Sequence, residues 1–211
     1  LPNYFRVLRT GKVDPKYYHK VLLTFLVGLV SNAFIPWERL RERYRKVEVK
    51  EPVFIIGHWR SGTTLLHNLI CQDPYASFIT TYQSIFPHNM YSKWLFKSFL
   101  HWQIPDKRPS DNVDLGANLP QEDDFAMSNI VPAFYDFFFF PDQYRENYER
   151  HVRFSTETER HQEEWLRAYD YLIRKGLVNR PGKFAVLKNP ANTGRFEALL
   201  KQYPDARFIH I

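Results

Sequence analysis

The residues best suited to chemistry lie in a short loop, GHWRSGTT, which runs from Gly57 to Thr64. Gly57 and Gly62 have the spacing of the phosphate-binding loop G-x-x-x-x-G-K-[ST]. Such a loop presents backbone N–H groups and the start of a helix to an anion. Thr63 stands where that pattern has its lysine, so the cation that reaches the terminal phosphates of a nucleoside triphosphate is missing. Arg60 supplies a cation inside the loop, and its planar guanidinium suits a tetrahedral oxyanion.

The segments on either side of the loop predict the elements that must position it. Residues 52–56 are mostly apolar and β-branched and end at the first glycine, as expected of a buried parallel strand. Residues 65–71 have a helical pattern that stops before Asp73 and Pro74. A glycine loop between a strand and a helix is the context in which anion binding is expected. A plain turn without a ligand is the alternative that the pattern leaves open.

Further motifs occur in a fixed order along the chain, and together they resemble the sulfotransferases that use 3′-phosphoadenosine 5′-phosphosulfate (PAPS). The loop G-x-x-R-S-G-T-T-L-L resembles the 5′-phosphosulfate loop of that family, which also lacks the lysine. The bacterial branch often continues with H-N-L-x-x-Q-D-P, as residues 67–74 do here. The later motifs are P-Q-E-D-x-F-A at 120–126, K-N-P-x-N-T-G-R at 188–195 and Y-P-D-A-R-F-I-H at 203–210. The resemblance therefore covers residues 51–211.

The resemblance implies an α/β fold with a parallel central sheet flanked by helices, similar to the P-loop kinases. The alternation of strand and helix patterns predicts the same class. An N-terminal helical segment over residues 1–50 would precede a sulfotransferase domain over residues 51–211. The family motif that binds the 3′-phosphate would follow Ile211, so we expect this domain to be truncated. A long amphipathic helix is predicted over residues 156–178, with a capping box that begins at Thr156. The predicted strands are 52–57, 77–81, 183–188 and 206–211.

The resemblance also assigns roles to residues around the loop. We expect Arg60 to stabilise the leaving 5′-phosphate, because sulfuryl transfer depends mainly on positioning and on electrostatic stabilisation of the leaving group. Lys188 ends a predicted strand at the sheet edge where such folds bind ligands, and it corresponds to the family lysine that contacts the sulfuryl group. Asn189, Asn192, Thr193 and Arg195 follow on a loop that would line the same site. The residues expected to bind the cofactor are Gly57, Arg60, Ser61, Gly62, Thr63, Thr64, Leu65 and Lys188.

The general base that would activate the acceptor hydroxyl stays open between two residues. Many relatives have a histidine near the position of Asn192, and some have a glutamate near that of Gln83, so neither family base is present. His88 has a side chain whose ordinary pKa suits proton transfer at neutral pH. Glu122 is preferred because it belongs to the P-Q-E-D segment. An acid at this point is also favoured by the dipole of a helix that starts near Pro120, which is the structural explanation for it.

The composition is that of a globular, basic protein rich in aromatic residues. The 211 residues carry a net charge of +6, and 17% of them are aromatic. The charge favours an anionic partner, and the motifs make that partner a nucleotide rather than a nucleic acid. The one cysteine, Cys71, excludes an intrachain disulfide and a multi-cysteine zinc site within this chain. We therefore expect a nucleotide co-substrate, an unidentified acceptor, no nucleic acid and no metal.

An uncharged apolar segment, residues 21–37, lies between lysines and arginines. It is shorter than the roughly 20 apolar residues that a membrane span needs. Three interpretations stay open: a helix packed on the domain, a helix on an anionic membrane surface, and a true span. The second would give peripheral membrane contact through residues 16–46. The lack of a cleavage site after the segment favours a cytoplasmic location, with association at the membrane surface as an open alternative.

Two other functions stay open beside PAPS-dependent sulfuryl transfer. The loop spacing also fits a P-loop nucleotide kinase or phosphotransferase, which the threonine in the lysine position disfavours. The basic N-terminal segment fits a non-catalytic, membrane-docked binding module. The aromatic run at residues 134–141 is either core or the wall of an acceptor pocket, which would then favour a lipid, aromatic or polyketide alcohol.

Overall fold

The computed structural model describes residues 2–40, 46–107, 113–135, 141–155 and 159–211. Within them, four parallel strands form one sheet in the order β2–β3–β1–β4. Because all four run the same way, the loops that follow them emerge at one edge, where open α/β sheets bind ligands. The strands are β1 (Val53–Ile56), β2 (Ala76–Ser77), β3 (Phe184–Lys188) and β4 (Arg207–His210).

Helices flank this sheet and also form the N-terminal part of the chain. The predicted parallel α/β architecture is therefore confirmed. The described helices are α1 (Pro2–Thr10), α2 (Tyr18–Ala33), α3 (Ile35–Leu40), α4 (Thr63–Ile70), α5 (Thr81–Ile85), α6 (Lys93–Gln103), α7 (Asp123–Ser128), α8 (Tyr144–His151), α9 (Glu159–Asn179) and α10 (Phe196–Gln202).

The two faces of the sheet bury different apolar clusters, because successive strand residues point to opposite faces. On one face Phe54 packs with residues of α9, including Trp165 and Tyr169. On the other face Ile55 packs with Cys71, which follows α4. Burial on both faces explains why β1 reads as a continuous apolar run. The predicted amphipathic helix is confirmed as α9, although its proposed capping residue Thr156 lies outside the described residues.

The second strand is shorter than predicted. Residues 77–81 were expected to be extended, but β2 ends at Ser77 and α5 begins at Thr81. A capping box explains the change: the Thr80 hydroxyl accepts from the Gln83 N–H at 3.2 Å, and the Gln83 side chain accepts from the Thr80 N–H at 3.0 Å. Gln83, which occupies the position of an expected glutamate, therefore serves to start a helix.

The N-terminal helix α2 packs on the domain by one side only. Val27 and Phe34 contact a cluster that contains Phe86 and Phe96. Within the stretch Pro15–Leu40, the most apolar 18-residue window has a mean hydropathy of 1.6, and only 6% of that window is buried. Its length and composition would allow it to cross a membrane, but a core helix or a signal sequence meets the same criteria. The flanking arginines at 41, 43 and 45 lie outside the described residues.

Candidate active site

The glycine loop has the backbone geometry that anion binding requires. Gly57 follows β1 with φ +141°, and a Cβ there would lie 2.1 Å from the carbonyl oxygen of Ile211, so only glycine fits. Gly62 has φ +92° and precedes α4, which begins at Thr63. The first N–H groups of a helix have no intrahelical acceptor and carry partial positive charge. The loop and the start of α4 therefore have the geometry and partial charge that suit an anionic group.

Arg60, in the middle of the loop, is held in the left-handed region with φ +67°. A residue with a Cβ pays roughly 1–2 kcal/mol for this conformation, so the surrounding loop must impose it. The Ser61 hydroxyl contributes by donating a hydrogen bond to the carbonyl of His58 at 2.7 Å. Arg60 is exposed, and it belongs to the same segment, residues 57–64, as Thr63 and Thr64.

A second loop, the 3₁₀ segment Pro190–Arg195, is bonded directly to the glycine loop. The Thr193 hydroxyl accepts a hydrogen bond from the Gly57 N–H at 2.9 Å and donates to the Gly57 carbonyl at 3.2 Å. The Asn189 side chain caps the start of this segment by accepting from the N–H of Ala191 at 3.0 Å. Two motifs more than a hundred residues apart in the chain thus meet at one sheet edge.

Lys188 and Glu122, which were predicted separately, form an ion pair. The Lys188 Nζ lies 2.9 Å from Glu122 Oε2. The lysine side chain is 4% exposed and the glutamate side chain 23% exposed. A buried ammonium group is stable only when it is paired, so Glu122 holds Lys188 in place. Glu122 in turn occupies the position just before α7.

A buried polar network supports this pair. Asp123 accepts hydrogen bonds from the backbone N–H of Lys188 at 3.0 Å and from the Tyr169 hydroxyl. Asn192 donates to the same hydroxyl at 3.0 Å. Burial raises the pKa of Asp123 to about 7, against the effect of the Tyr169 hydrogen bond, and it also raises the pKa of Tyr169 well above its usual value. Neither role was predicted from the sequence, because Asp123 is adjacent to the preferred base and Tyr169 fits the apolar spacing of a scaffold helix.

Arg195 was expected to line the site, but its side chain is buried beneath it. Its Nη1 lies 2.9 Å from Asp124 Oδ1 and donates to Asn192 Oδ1 at 3.0 Å. Its Nε donates to the carbonyl of His151 at 2.9 Å, and its guanidinium stacks 4.4 Å from the ring centroid of Trp165. Arg195 therefore fixes the loop after β3, and Asn192 belongs to the same buried network.

His67 and His88 lie near these elements in different surroundings. His67, on α4, is buried, and burial together with the charge of Lys188 lowers its pKa to about 3. His88, the second candidate base, contacts α9: its Nδ1 lies 2.9 Å from the Tyr171 hydroxyl, and its carbonyl accepts from Lys175 at 2.9 Å. Burial and then the charge of Lys175 lower the pKa of His88 to about 4. Such a ring is a weak proton acceptor at neutral pH.

A cleft of about 470 Å³ lies at the carboxyl edge of the sheet. Its walls come from residues 57–59 of the glycine loop, from residues 190, 191, 193 and 194 after β3, from Tyr148 of α8 and from His210 of β4. This volume lies in the usual range of small-ligand sites. Trp59 packs near Phe134 at the start of the aromatic run, whose residues 136–140 lie outside the described residues. In the described ranges no group of three or more His, Cys, Asp or Glu side chains could hold a metal ion.

Comparison with known proteins relates this site to one enzyme family. A profile of the sulfotransferase family matches residues 52–211. The chain is 32% identical over 200 residues to the omega-hydroxy-beta-dihydromenaquinone-9 sulfotransferase Stf3 of Mycobacterium tuberculosis and to that of Mycobacterium bovis. These alignments cover 93% of this chain and 51% of each relative. The chain thus spans about half the length of the curated relatives it matches.

Solved structures agree with this assignment at the level of the fold. The sulfotransferase STF1 of Mycobacterium tuberculosis aligns with a TM-score of 0.57 over 86% of this chain and 50% of its own. The sulfotransferase STF9 of Mycobacterium avium aligns with a TM-score of 0.60 over 85% and 46%. Both are 22% identical to this chain. The glycine loop without its lysine, the Lys188 motif and the profile match over most of the chain place this protein in the sulfotransferase family.

Proposed function

We propose that this chain binds PAPS and transfers its sulfuryl group to a hydroxyl acceptor. The observation that carries the proposal is the contact between Thr193 and Gly57. It joins the loop suited to an anion with the segment that carries Lys188, at the ligand-binding edge of a parallel sheet. In this arrangement residues 51–211 supply the reaction site, and helices α1, α2 and α3 precede it in the chain.

The residues of the loop fit the 5′-phosphosulfate end of the donor. The N–H groups at the start of α4 offer hydrogen bonds to phosphate oxygens. Ser61, Gly62, Thr63, Thr64 and Leu65 belong to the loop or to the start of α4. Arg60 adds a positive charge where negative charge builds on the leaving 5′-phosphate, and a pre-placed cation lowers the barrier of such a transfer.

The reaction that we propose breaks one bond and forms another at sulfur. The acceptor oxygen bonds to sulfur while the bond from sulfur to the 5′-phosphate oxygen breaks, and the electron pair stays on the phosphate. Lys188 stabilises the charge on the sulfuryl oxygens, and the acceptor proton passes to the Glu122 carboxylate. The 2.9 Å pair of Lys188 and Glu122 supports this assignment, because it keeps the cation and the base together. His88 is the weaker candidate, since its pKa is lowered to about 4.

The acceptor that we propose is an apolar alcohol at or near a membrane surface on the cytoplasmic side. The name of the Stf3 relatives describes a hydroxylated dihydromenaquinone as their acceptor. The half-exposed apolar helix α2 supports a similar preference here, with peripheral membrane contact through residues 16–46. A matching acceptor would bring its hydroxyl to the sheet edge while its chain stays in an apolar phase.

Turnover of the full chain with PAPS tests this function. The assay measures release of adenosine 3′,5′-bisphosphate with a series of primary alcohols of increasing chain length. We expect Arg60→Ala and Lys188→Met each to lower kcat by a factor of about 10²–10³, as for other groups that stabilise charge in the transition state. Arg160→Ala and Lys201→Ala serve as matched controls, because both side chains are exposed on helices away from the loop.

A second experiment distinguishes this function from that of a nucleotide kinase. Calorimetric titration with adenosine 3′,5′-bisphosphate and, separately, with magnesium ATP measures which nucleotide the loop prefers. Preference for the bisphosphate, weakened by Arg60→Ala, is the expected result. Tight binding of magnesium ATP together with no turnover of PAPS would refute the proposal. It would favour a nucleotide kinase, which the Gly57–Gly62 spacing also fits.

A further inference from the structure

His67 is a buried histidine that no step of the proposed reaction uses. It lies on α4, four residues after Thr63, so both residues occupy the same face of the helix that starts at the glycine loop. The residue is only 1% exposed. Helix α4 packs on β1 and β3, the strand that ends in Lys188. His67 is therefore enclosed between the anion-binding loop and the strand that carries the lysine.

The ring of His67 bonds to the backbone of β3 at a point where the sheet lacks a neighbouring strand. β2 ends at Ser77, while β3 beside it continues to Lys188. Past the end of β2, the His67 ring donates to the Val186 carbonyl, and Asp123 accepts from the Lys188 N–H at 3.0 Å. Residues 186 and 188 present their backbone groups to the same side of the strand, since the strand repeats every two residues. Two side chains thus replace the missing continuation of β2.

The bond to Val186 determines which nitrogen of His67 carries the proton. Among the described residues, His67 Nε2 has no hydrogen-bond partner, although it is buried. The donor is therefore Nδ1, and Nε2 carries the lone pair of a neutral ring. Burial lowers the pKa of His67 to about 3, which keeps the ring neutral at neutral pH. Buried polar atoms in folded proteins are nearly always hydrogen-bonded, so this acceptor calls for an explanation.

The side chain of Lys188 starts on the same face of the sheet as His67. Val186 packs with Cys71 on the side of α4. Lys188 stands two residues later on β3, so its side chain leaves the strand on that side too. The charge of Lys188 contributes to the lowered pKa of His67, as expected of two groups that lie close together. The hydrogen bond to Glu122 at 2.9 Å uses one of the three N–H donors of the ammonium group.

Proton transfer to Glu122 would leave the Lys188 ammonium with a weaker partner. Before the transfer, the Glu122 carboxylate balances the charge of Lys188. Once Glu122 has taken the acceptor proton it is neutral, and a buried ammonium without its counter-charge is destabilised. A neutral imidazole can hold the ammonium by a hydrogen bond and leave its positive charge available to the sulfuryl oxygens. The Nε2 lone pair of His67 has the chemistry for this task.

We propose that His67 is a positioning residue for Lys188, whose ammonium donates a hydrogen bond to His67 Nε2 while Glu122 holds the acceptor proton. The inference rests on the proposed function, because it concerns Lys188 during sulfuryl transfer. It gives α4 two roles. The start of the helix offers N–H groups to the donor, and one turn later His67 offers an acceptor to the lysine.

Two substitutions separate the two nitrogens of His67. An asparagine amide lies near the place of Nδ1, and a glutamine amide reaches the place of Nε2. His67→Asn therefore keeps a donor for the Val186 carbonyl, whereas His67→Gln keeps an acceptor for Lys188. In the full chain, we expect kcat for transfer from PAPS to fall about tenfold in His67→Asn and to stay within about twofold in His67→Gln. The reason is that only His67→Asn loses the hydrogen bond to a charged group.

Binding of adenosine 3′,5′-bisphosphate is the control measurement, because this product has no sulfuryl group for Lys188 to contact. Its Kd, measured by calorimetry, should be unchanged in both His67 variants, so the loss appears in kcat alone. Leu69→Ala is the matched control on the same helix, since Leu69 is 54% exposed, and it should keep the kcat of the unmodified chain.

A double-mutant cycle tests whether His67 acts through Lys188. Lys188→Met lowers kcat by itself, and adding His67→Asn should then cause little further loss. Equal fold-losses with and without Lys188→Met would refute the inference and leave His67 a structural partner of Val186. A larger loss in His67→Gln than in His67→Asn would refute it as well. If the unmodified chain does not turn over PAPS, the proposed function fails together with this inference; if Lys188→Met lowers kcat and the cycle is additive, only this inference fails.

Discussion

The titration of Asp123 gives a quantitative test of the network beneath Lys188. Burial raises the pKa of this carboxyl to about 7. An aspartate in the unfolded chain titrates near pH 3.9, so about three pH units separate the two states. The folded state therefore favours the protonated carboxyl. This stabilisation is fully present below about pH 4 and is lost as the pH rises through about 7, which amounts to about 4 kcal/mol.

Replacing Asp123 by asparagine removes the titration and keeps an oxygen that can accept from the Lys188 N–H. Between about pH 5 and pH 8, the unmodified protein should lose about 3 kcal/mol more of its unfolding free energy than Asp123→Asn does. The buried histidines are common to both proteins and cancel from the difference. Urea unfolding can be followed by tryptophan fluorescence, because the Trp165 ring packs 4.8 Å from that of Tyr169.

A free-energy difference that does not change with pH would refute this reasoning, since it would mean that Asp123 is ionised in the folded protein across that range. Tyr169→Phe is the companion variant. The Tyr169 hydrogen bond lowers the pKa of Asp123, so its removal should move the titration to higher pH. A shift to lower pH would contradict the geometry of the network.

Three further predictions concern stability around the site. Asp124→Ala leaves the Arg195 guanidinium buried without its carboxylate and should cost about 3–5 kcal/mol in urea unfolding, with part of the loss recovered when Arg195→Leu is added. Gly57→Ala should lower the melting temperature and weaken nucleotide binding in calorimetry, because its Cβ would lie 2.1 Å from the Ile211 oxygen. His67, whose pKa is lowered to about 3, should make the protein lose stability as the pH falls below about 6.5, and His67→Gln should flatten that acid limb of the unfolding curve.

The part of the site that the sequence predicts is the part encoded locally. The strand, the glycine loop and the helix after it are contiguous, and their residues need only each other to adopt that geometry. Lys188 was placed correctly at the end of β3, because an apolar run followed by a polar loop marks the edge of a sheet. A prediction from local pattern was wrong for β2, because the capping box of Thr80 and Gln83 starts a helix where the sequence pattern predicts a strand.

The long-range pairings could not be read from spacing. Nothing in the chain between Glu122 and Lys188 indicates that their side chains meet; the pairing follows from β3 lying beside β1 and from where α7 begins. Tyr169 repeats at apolar spacing along α9, and its hydroxyl role depends on a partner on another element. The exposed apolar residues of α6 could not be predicted for a related reason. Apolar residues occur on both faces of this helix, and only the packed structure shows which face is buried.

The acidic run at residues 122–124 has a fuller explanation than the dipole of the helix it begins. A dipole would favour any carboxylate in the first turn, without a particular partner. Here each of the three consecutive carboxylates contacts a different group, either of Lys188 at the end of β3 or of Arg195 in the segment that follows. Glu122 pairs with the Lys188 ammonium, Asp123 accepts from the Lys188 N–H, and Asp124 pairs with Arg195. The P-Q-E-D segment and the K-N-P-x-N-T-G-R segment are therefore one structural unit, and a change in either should be felt at the position of Lys188.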